Sequence, residues 1–160
     1  MASCSCDRTI KIWDIRADPS KACMITQGNA HFSDVNVIDW NLHEPFIISG
    51  GDDGIVKVWD LRNFGGISDP LASFKHHTSP VTSLQWHPDD STVFASSGAD
   101  DQVCTSGIHV ESSLLCGCRY VVFRIGYLEL NVLCNIFKYL GRRTVLGTIF
   151  IDNRFPQQPG

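Results

Sequence analysis

The sequence lacks most features that mark an enzyme or a secreted protein. It contains no glycine-rich phosphate loop, no G-x-S-x-G motif around a serine and no apolar leader at its start. The seven cysteines are an odd number, which favours a reduced intracellular setting over a disulfide framework. We therefore predict no catalytic residue and no cofactor.

Metal-ligand spacing is missing as well. The close pairs Cys4–Cys6 and Cys116–Cys118 have no second ligand pair at the distance that a structural zinc site needs. We interpret these cysteines as ordinary thiols and predict no metal site.

A basic surface is also absent, since the net charge is −4, and this argues against direct binding of nucleic acid. The charge is unevenly spread. Residues 1–103 carry 14 acidic and 7 basic side chains, a net −7, whereas residues 104–160 carry 3 and 6, a net +3. All four tryptophans lie in the first part: Trp13, Trp40, Trp59 and Trp86. The composition predicts a boundary close to Cys104.

The first part contains an internal repeat. Residues 3–16 (SCSCDRTIKIWDIR) align with residues 49–62 (SGGDDGIVKVWDLR) at an offset of 46. Residues 31–53 align in the same way with residues 77–101 if two residues are inserted near Asp90. A repeat of this length that ends in Trp-Asp predicts four-stranded propeller blades.

Local patterns agree with an all-β fold. The segments TIKIWDI and IVKVWDL alternate apolar and polar residues and are rich in β-branched types, as half-buried strands are. The run DDG at residues 52–54 indicates a hairpin turn between two strands. No sustained helical periodicity occurs in residues 1–103.

These features identify the chain as similar to WD40-repeat proteins, and the fold class predicted is a partial β-propeller of about two blades. Closed propellers have about 4–8 blades, so we expect a fragment or a truncated product. The predicted repeat region, residues 1–103, divides into a partial unit over residues 1–16, a unit over residues 17–62 and a truncated unit over residues 63–103. We expect its last unit to contain two strands and only the beginning of a third, at residues 102–103, because the family-like strand does not continue after Asp101.

The WD40 resemblance implies a hydrogen-bonded structural tetrad in each blade. The complete tetrad consists of His31, Ser49, Asp53 and Trp59. A second, incomplete tetrad consists of His77, Ser97 and Asp101, because Gly107 stands where its tryptophan is expected. We interpret both sets as structural because buried polar groups need partners.

Residues 104–160 are predicted to be a divergent hydrophobic tail, unrelated to the repeats and poorly folded. Its most apolar segment, Tyr120–Leu140, is long enough to cross a bilayer. It contains Arg124, Glu129 and Lys138, each costing roughly 2.5–3.5 kcal/mol at mid-membrane. These charges argue against a membrane span.

Specific phrases resemble the glutamate-rich WD-repeat-containing protein family, and more distantly the histone-binding WD proteins. They are KAC, HFSDVNVIDW, SGGDDG and VTSLQWHP, all within residues 1–103. The resemblance implies a non-enzymatic nuclear or nucleolar scaffold for ribosome biogenesis and histone binding, with histones and ribosomal or pre-ribosomal proteins as partners. The glutamate-rich segment itself is absent, and what remains is a set of acidic residues expected at the surface: Asp34, Asp39, Glu44, Asp52, Asp69, Asp89 and Asp90.

An alternative function follows from a second motif. The sequences WDIR and WDLR match the WDxR motif of substrate receptors for cullin-4 ubiquitin ligases, in which the arginine contacts the ligase adaptor. The residues concerned are Trp13, Asp14 and Arg16 in one copy and Trp59, Asp60 and Arg62 in the other. A solvated strand end is the simpler interpretation of these arginines.

Overall fold

Three antiparallel sheets make up the computed structural model, which describes residues 1–66, 68–108 and 121–124. The first sheet contains β1 (Ala2–Cys4), β2 (Ile10–Trp13) and β3 (Cys23–Gln27). The second contains β4 (Val35–Trp40), β5 (Phe46–Gly51), β6 (Val56–Asp60) and β7 (Ala72–Phe74). The third contains β8 (Val81–Trp86), β9 (Val93–Gly98), β10 (Gln102–Gly107) and β11 (Val121–Arg124). The predicted all-β class is confirmed.

Helical structure is limited, within the described part of the chain, to two single 3₁₀ turns at Pro19–Lys21 and Leu61–Asn63. No helix among the described residues is long and apolar enough to cross a membrane. All but four residues of the predicted apolar segment Tyr120–Leu140 lie outside the described residues.

The third sheet differs from the prediction at its third strand. We expected only the beginning of this strand, at residues 102–103, but β10 continues to Gly107 and pairs with β9 from Val103↔Ser97 to Gly107↔Val93. β11 then pairs with the other edge of β10 and completes four strands. Strand pairing needs only backbone amides and carbonyls, so the loss of the repeat pattern in the side chains does not prevent it.

The centre of the second sheet, β5, is buried along its whole length because both of its faces are covered. Ile47 belongs to a core shared with the first sheet, whereas Phe46 and Ile48 belong to a core shared with the third. This alternation follows from the period of two along a strand. A continuous apolar run, FIISGG, is therefore the pattern required of a strand between two neighbouring sheets.

Close contact between the second and third sheets depends on Gly50. A Cβ atom at this position would lie 2.5 Å from Val81 Cγ1 and 2.9 Å from Val81 Cβ. Val81 is fully buried at the start of β8 and cannot move away without disturbing the shared core. The small residues that end the apolar run thus permit the two sheets to approach.

We expect Gly50→Ala to lower the free energy of unfolding by about 1–3 kcal/mol, since it overpacks this interface. Gly28→Ala is the matched control, because a Cβ there has no neighbour within 4 Å. Thermal or urea denaturation followed by circular dichroism would measure both. Equal stability of the two variants would contradict the assigned role of Gly50.

Candidate functional site

Four side chains of the second sheet form a buried hydrogen-bonded set. His31 Nδ1 lies 3.0 Å and 3.1 Å from the two Asp53 carboxylate oxygens, and His31 Nε2 lies 2.8 Å from Ser49 Oγ. Trp59 Nε1 donates to the same Ser49 oxygen at 2.9 Å. The structure thus brings together all four residues of the predicted complete tetrad.

The direction of each hydrogen bond follows from the chemistry of the groups. An ionised Asp53 carboxylate only accepts, so His31 Nδ1–H donates to it and His31 Nε2 accepts from the Ser49 hydroxyl. The Ser49 oxygen then accepts the indole N–H. Burial lowers the pKa of His31 and outweighs the opposing effect of Asp53, so the imidazole is neutral at pH 7.

A serine, a histidine and an aspartate in this order resemble a hydrolytic triad, but their surroundings differ from an active site. Ser49 is 0% exposed and His31 is 2% exposed. The Ser49 oxygen lies between the imidazole and the indole, so no substrate can reach it. The hydrogen bonds instead hold together the segment that precedes β4, strand β5 and strand β6.

In the third sheet the partners of His77 differ from the predicted ones by one residue each. His77 Nε2 lies 2.8 Å from Ser96 Oγ, and His77 Nδ1 lies 3.0 Å from Asp100 Oδ1. The predicted Ser97 instead contacts the Thr82 hydroxyl, at 3.1 Å between the two oxygens. Asp101 occupies the next turn position and is exposed.

Backbone conformation shows the correct alignment. Asp101 has φ 59°, matching Gly54 at 70° and Arg8 at 65°, each the left-handed residue of its turn. Asp100, not Asp101, is therefore the counterpart of Asp53. The loop before β9 is one residue longer than the loop before β5, whereas we had inserted two residues. The repeated letters in GGDD and GADD produced the error.

The position of Trp59 in the third sheet corresponds to Ser106 rather than Gly107. Trp59 pairs with Ile47 across β5 and β6, and Ser106 pairs with Phe94 across β9 and β10. Phe94 is fully buried and contacts Phe74 and Trp86 edge to face, at 5.2 Å and 5.5 Å between ring centroids. The third sheet therefore has its large aromatic side chain on its second strand, β9, instead of on its third strand. No indole donates a hydrogen bond to Ser96, as Trp59 does to Ser49.

In the first sheet, the hydrogen bond between the tryptophan and the serine of the tetrad is present. Trp13 Nε1 donates to Ser3 Oγ at 2.8 Å, as Trp59 does to Ser49. Asp7, the counterpart of Asp53, accepts from the amide and the hydroxyl of Thr9 in its own turn. Among the described residues no histidine lies beside Ser3.

The WDxR residues form a local ion pair in each copy. Arg16 Nε lies 3.1 Å from Asp14 Oδ1, and Arg62 Nε lies 2.9 Å from Asp60 Oδ1. The arginine side chains are 87% and 65% exposed. Their tryptophans, Trp13 and Trp59, point to the serines instead. The role of the arginines in binding a ligase adaptor stays a prediction.

One residue expected at the acidic surface has a different position. Asp39 is partly buried, and its Oδ2 atom accepts from the backbone N–H of Trp86 at 2.7 Å, which joins β4 to β8. Desolvation raises the pKa of this carboxyl. We expected Asp39 at the surface with the other acidic residues, and only its contact with β8 shows that it is partly covered.

Metal-ligating clusters are not found among the described residues. Cys4 is partly buried and Cys6 is exposed. The pair Cys116–Cys118 lies outside the described residues, so the interpretation of these cysteines stays a prediction.

We expect Ser49→Ala to destabilise the chain more than Ser96→Ala, by about 1 kcal/mol. The first change leaves two buried groups, the His31 imidazole and the Trp59 indole, without their partner, whereas the second leaves only His77. Urea denaturation of both variants would measure the difference. A larger cost for Ser96→Ala would contradict the assigned hydrogen bonds.

Stability should also fall as the solution becomes acidic. Because folding lowers the pKa of His31, the unfolded chain binds that proton more readily. The stabilising contribution of neutral His31 is therefore fully present above about pH 6.5, the pKa of histidine in the unfolded chain, and the free energy of unfolding decreases as the pH falls below this value. The pKa of His76 is lowered in the same way. Denaturation between pH 7.5 and 5.5 would show the decrease. His31→Gln should reduce the slope although that variant is less stable throughout, and an unchanged slope would oppose the assignment.

Comparison with known proteins agrees with this architecture. The family model described as "WD domain, G-beta repeat" matches residues 1–14, 22–60 and 68–105. The last matched range ends inside β10, two residues beyond the predicted boundary at 103.

Three curated relatives illustrate the range of similar proteins. Ribosome assembly protein rrb1 of Schizosaccharomyces pombe is 42% identical over 115 residues, covering 69% of this chain and 24% of that protein. The ribosome biogenesis protein WDR12 homolog of Oryza sativa is 34% identical over 106 residues, covering 65% and 23%. Restriction of telomere capping protein 1 of Eremothecium gossypii is 34% identical over 110 residues, covering 67% and 8%.

The chain thus spans less than a quarter of the length of each of these relatives. The names of these relatives indicate different functions, so what they share with this chain is the repeat itself. The repeated strands, the Ser–His–Asp sets and the family match lead to one conclusion: the chain belongs to the WD40-repeat family and forms part of a β-propeller.

Proposed function

We propose that this chain is a non-enzymatic protein-interaction segment of a nuclear or nucleolar assembly factor. Its partners would be pre-ribosomal proteins or histones, both of which are implied by the resemblance to glutamate-rich WD-repeat proteins. The observation that carries the proposal is the 42% identity over 115 residues with a protein named for ribosome assembly. A second relative is named for ribosome biogenesis.

Burial of the polar sets supports a role without catalysis. Ser49 and Ser96 are 0% and 1% exposed, and each contacts the ring of a buried histidine. Their hydroxyls have no path to a bound substrate. Among the described residues, the exposed charged side chains lie outside the strands, on the connecting segments, which is where repeat scaffolds bind partners.

One pair of these loops has a charge that suits a basic partner. The loops before β5 and β9 are joined by Asn41 Nδ2, which donates to Ser91 O at 2.8 Å, and by His43 Nε2, which donates to Pro88 O at 2.9 Å. Glu44, Asp89 and Asp90 are exposed on these loops. We call these three residues the acidic rim. An acidic surface of this kind attracts basic proteins over the range of the Debye length.

The ligase alternative has weaker support in the geometry. Arg16 and Arg62 are both exposed, but each is already paired with the aspartate of its own motif. Binding an adaptor would require these pairs to open or to be shared. This function therefore stays a sequence-based alternative to the assembly role.

Purified core histones and a basic pre-ribosomal protein provide a direct test. We expect the double variant Glu44→Gln, Asp89→Asn to bind them about three- to tenfold more weakly at low salt, because two charges of the acidic rim are removed. Asp18→Asn with Asp69→Asn is the matched control, since both residues are exposed and lie on other loops. Titration by fluorescence anisotropy would measure affinity for each partner.

Two outcomes would count against the proposal. Absence of binding to either class of partner by the unmodified chain would remove the assembly role. Equal weakening by the rim variant and the control variant would show a general effect of net charge, and the acidic rim would then not be the contact surface.

A further inference from the structure

Lys57 is a half-buried cation with no carboxylate at ion-pair distance among the described residues. Its Nζ atom donates to the backbone oxygen of Ala30 at 2.6 Å and lies 5.4 Å and 5.8 Å from the ring centroids of Phe32 and Trp59. An ammonium group has three N–H donors, so this hydrogen bond leaves two of them for other acceptors. Desolvation lowers the pKa of Lys57 more than the attraction of Asp53 raises it. The position would therefore be improved by a nearby anion.

A second lysine lies on the same side of the second sheet. Lys57 pairs with Ser73 across β6 and β7, and Lys75 follows two residues later, just past the end of β7. Because side chains alternate along a strand, Lys75 is directed to the side that carries Lys57. Lys75 is exposed, and its charge contributes to the lowered pKa of Lys57. Neither lysine forms an ion pair within the described part of the chain, so two unpaired cations lie close together.

Phe32 places an aromatic ring beside Lys57. The residue is 82% exposed, and its backbone N–H donates to Asp53 Oδ2 at 3.2 Å. Two residues before it, Ala30 N–H donates to the backbone oxygen of Arg8 at 2.8 Å. A single exposed apolar residue is common. This one is held by turns of two neighbouring sheets, so a partner that packs on the ring requires little further ordering of the chain.

The third sheet has different residues at the same two positions. Thr78 occupies the position of Phe32, after the tetrad histidine, and it is also exposed, although the four strands of the second sheet precede it. Cys104 takes the place of Lys57, because it pairs with the tetrad serine of its own sheet, and it is buried. Exposure at the first position thus recurs from one sheet to the next. The aromatic ring and the cation distinguish the second sheet from the third.

We propose that Phe32, Lys57 and Lys75 bind an extended acidic segment of a partner protein. An aromatic side chain of that segment packs against the Phe32 ring, and carboxylates two and four residues later bind Lys57 and Lys75. In an extended segment these three side chains point to the same side. The carboxylate at Lys57 accepts from N–H groups that Ala30 does not use, which forms a charge-assisted hydrogen bond.

The spacing of the two lysines suits such a segment. Diagonal neighbours on paired strands lie about 7–8 Å apart. Side chains two residues apart in an extended segment are separated by roughly 6.6 Å, twice the rise per residue. Two carboxylates at this spacing can therefore reach both ammonium groups at once.

Charge complementarity identifies the partner segment as acidic. A basic segment, of the kind proposed for the acidic rim, would place like charges beside Lys57 and Lys75. The chain as a whole carries a net charge of −4, but the Debye length is about 8 Å at physiological salt, so only nearby charges act on the segment. The inference therefore concerns other residues, and a partner of opposite charge, than the proposed function does.

A peptide of sequence GWSESEG, acetylated and amidated at its ends, is the probe. A fluorescent label permits anisotropy titration against the full chain at about 0.15 M salt. We expect saturable binding. Phe32→Ala should weaken it about two- to tenfold through loss of the aromatic contact, and Lys57→Gln about tenfold through loss of the ion pair. Circular dichroism of each variant separates loss of affinity from loss of folding.

Lys75→Glu tests the charge without disturbing the fold, because Lys75 is exposed and lies outside β7. We expect this variant to bind the probe about three- to tenfold more weakly. It should also bind the peptide GWSESKG more tightly than the unmodified chain does, since the charges are then exchanged. The matched control is Lys11→Gln with Lys21→Gln, which removes two positive charges elsewhere and should leave the affinity unchanged.

Several results would overturn the proposal. They are no saturable binding, equal binding of the peptide GWSQSQG, or a loss of affinity in the control variant as large as in Lys57→Gln with Lys75→Gln. Tighter binding of GWSKSKG than of GWSESEG would show that the acidic charge of the whole chain governs binding, and an acidic partner would then be wrong. Histone affinity measured on the same variants separates this site from the acidic rim, since we expect it to be unchanged by Lys57→Gln with Lys75→Gln.

Discussion

The contact between the Ser49 hydroxyl and the His31 imidazole, 2.8 Å long, is the interaction on which the rest of the second sheet depends. A buried imidazole must satisfy two nitrogens with opposite requirements, one donating and one accepting. Asp53 and Ser49 meet these requirements from different strands and turns, so the histidine can be buried only when β4, β5 and β6 are in register. The packing of the apolar side chains and the hydrogen bonds of the buried polar groups therefore require the same register of the three strands.

The same constraint is met with different residues in each sheet. Trp59 supplies both a hydrogen bond and aromatic volume in the second sheet. In the third, Phe94 supplies the volume from the neighbouring strand and no indole bonds Ser96. The Ser106 hydroxyl at the tryptophan position is buried and has no hydrogen-bond partner among the described residues. Volume is thus easier to relocate than a directional bond, because many residues fill space and few can donate to one fixed oxygen.

Much of this structure could be predicted from the sequence, and the failures have identifiable causes. Alternation and the Trp-Asp repeat predicted the strands, and the complete tetrad was found residue by residue. The partners of His77 were displaced by one because loop length, which sets register, leaves no trace in composition. Asp39 was assigned to the surface because its burial arises from β8, 42 or more residues further along the chain. Whether such a residue is buried is determined by contacts with residues that are distant in the sequence.

The pairing of β10 with both β9 and β11 has a wider consequence. β11 is joined to β10 by backbone pairing, which uses main-chain groups that every residue except proline possesses. The outermost strand of a blade is therefore the most tolerant of unrelated sequence. Joints between protein segments of different origin, whether from recombination or from altered messenger RNA processing, can be absorbed there while the sheet itself is kept.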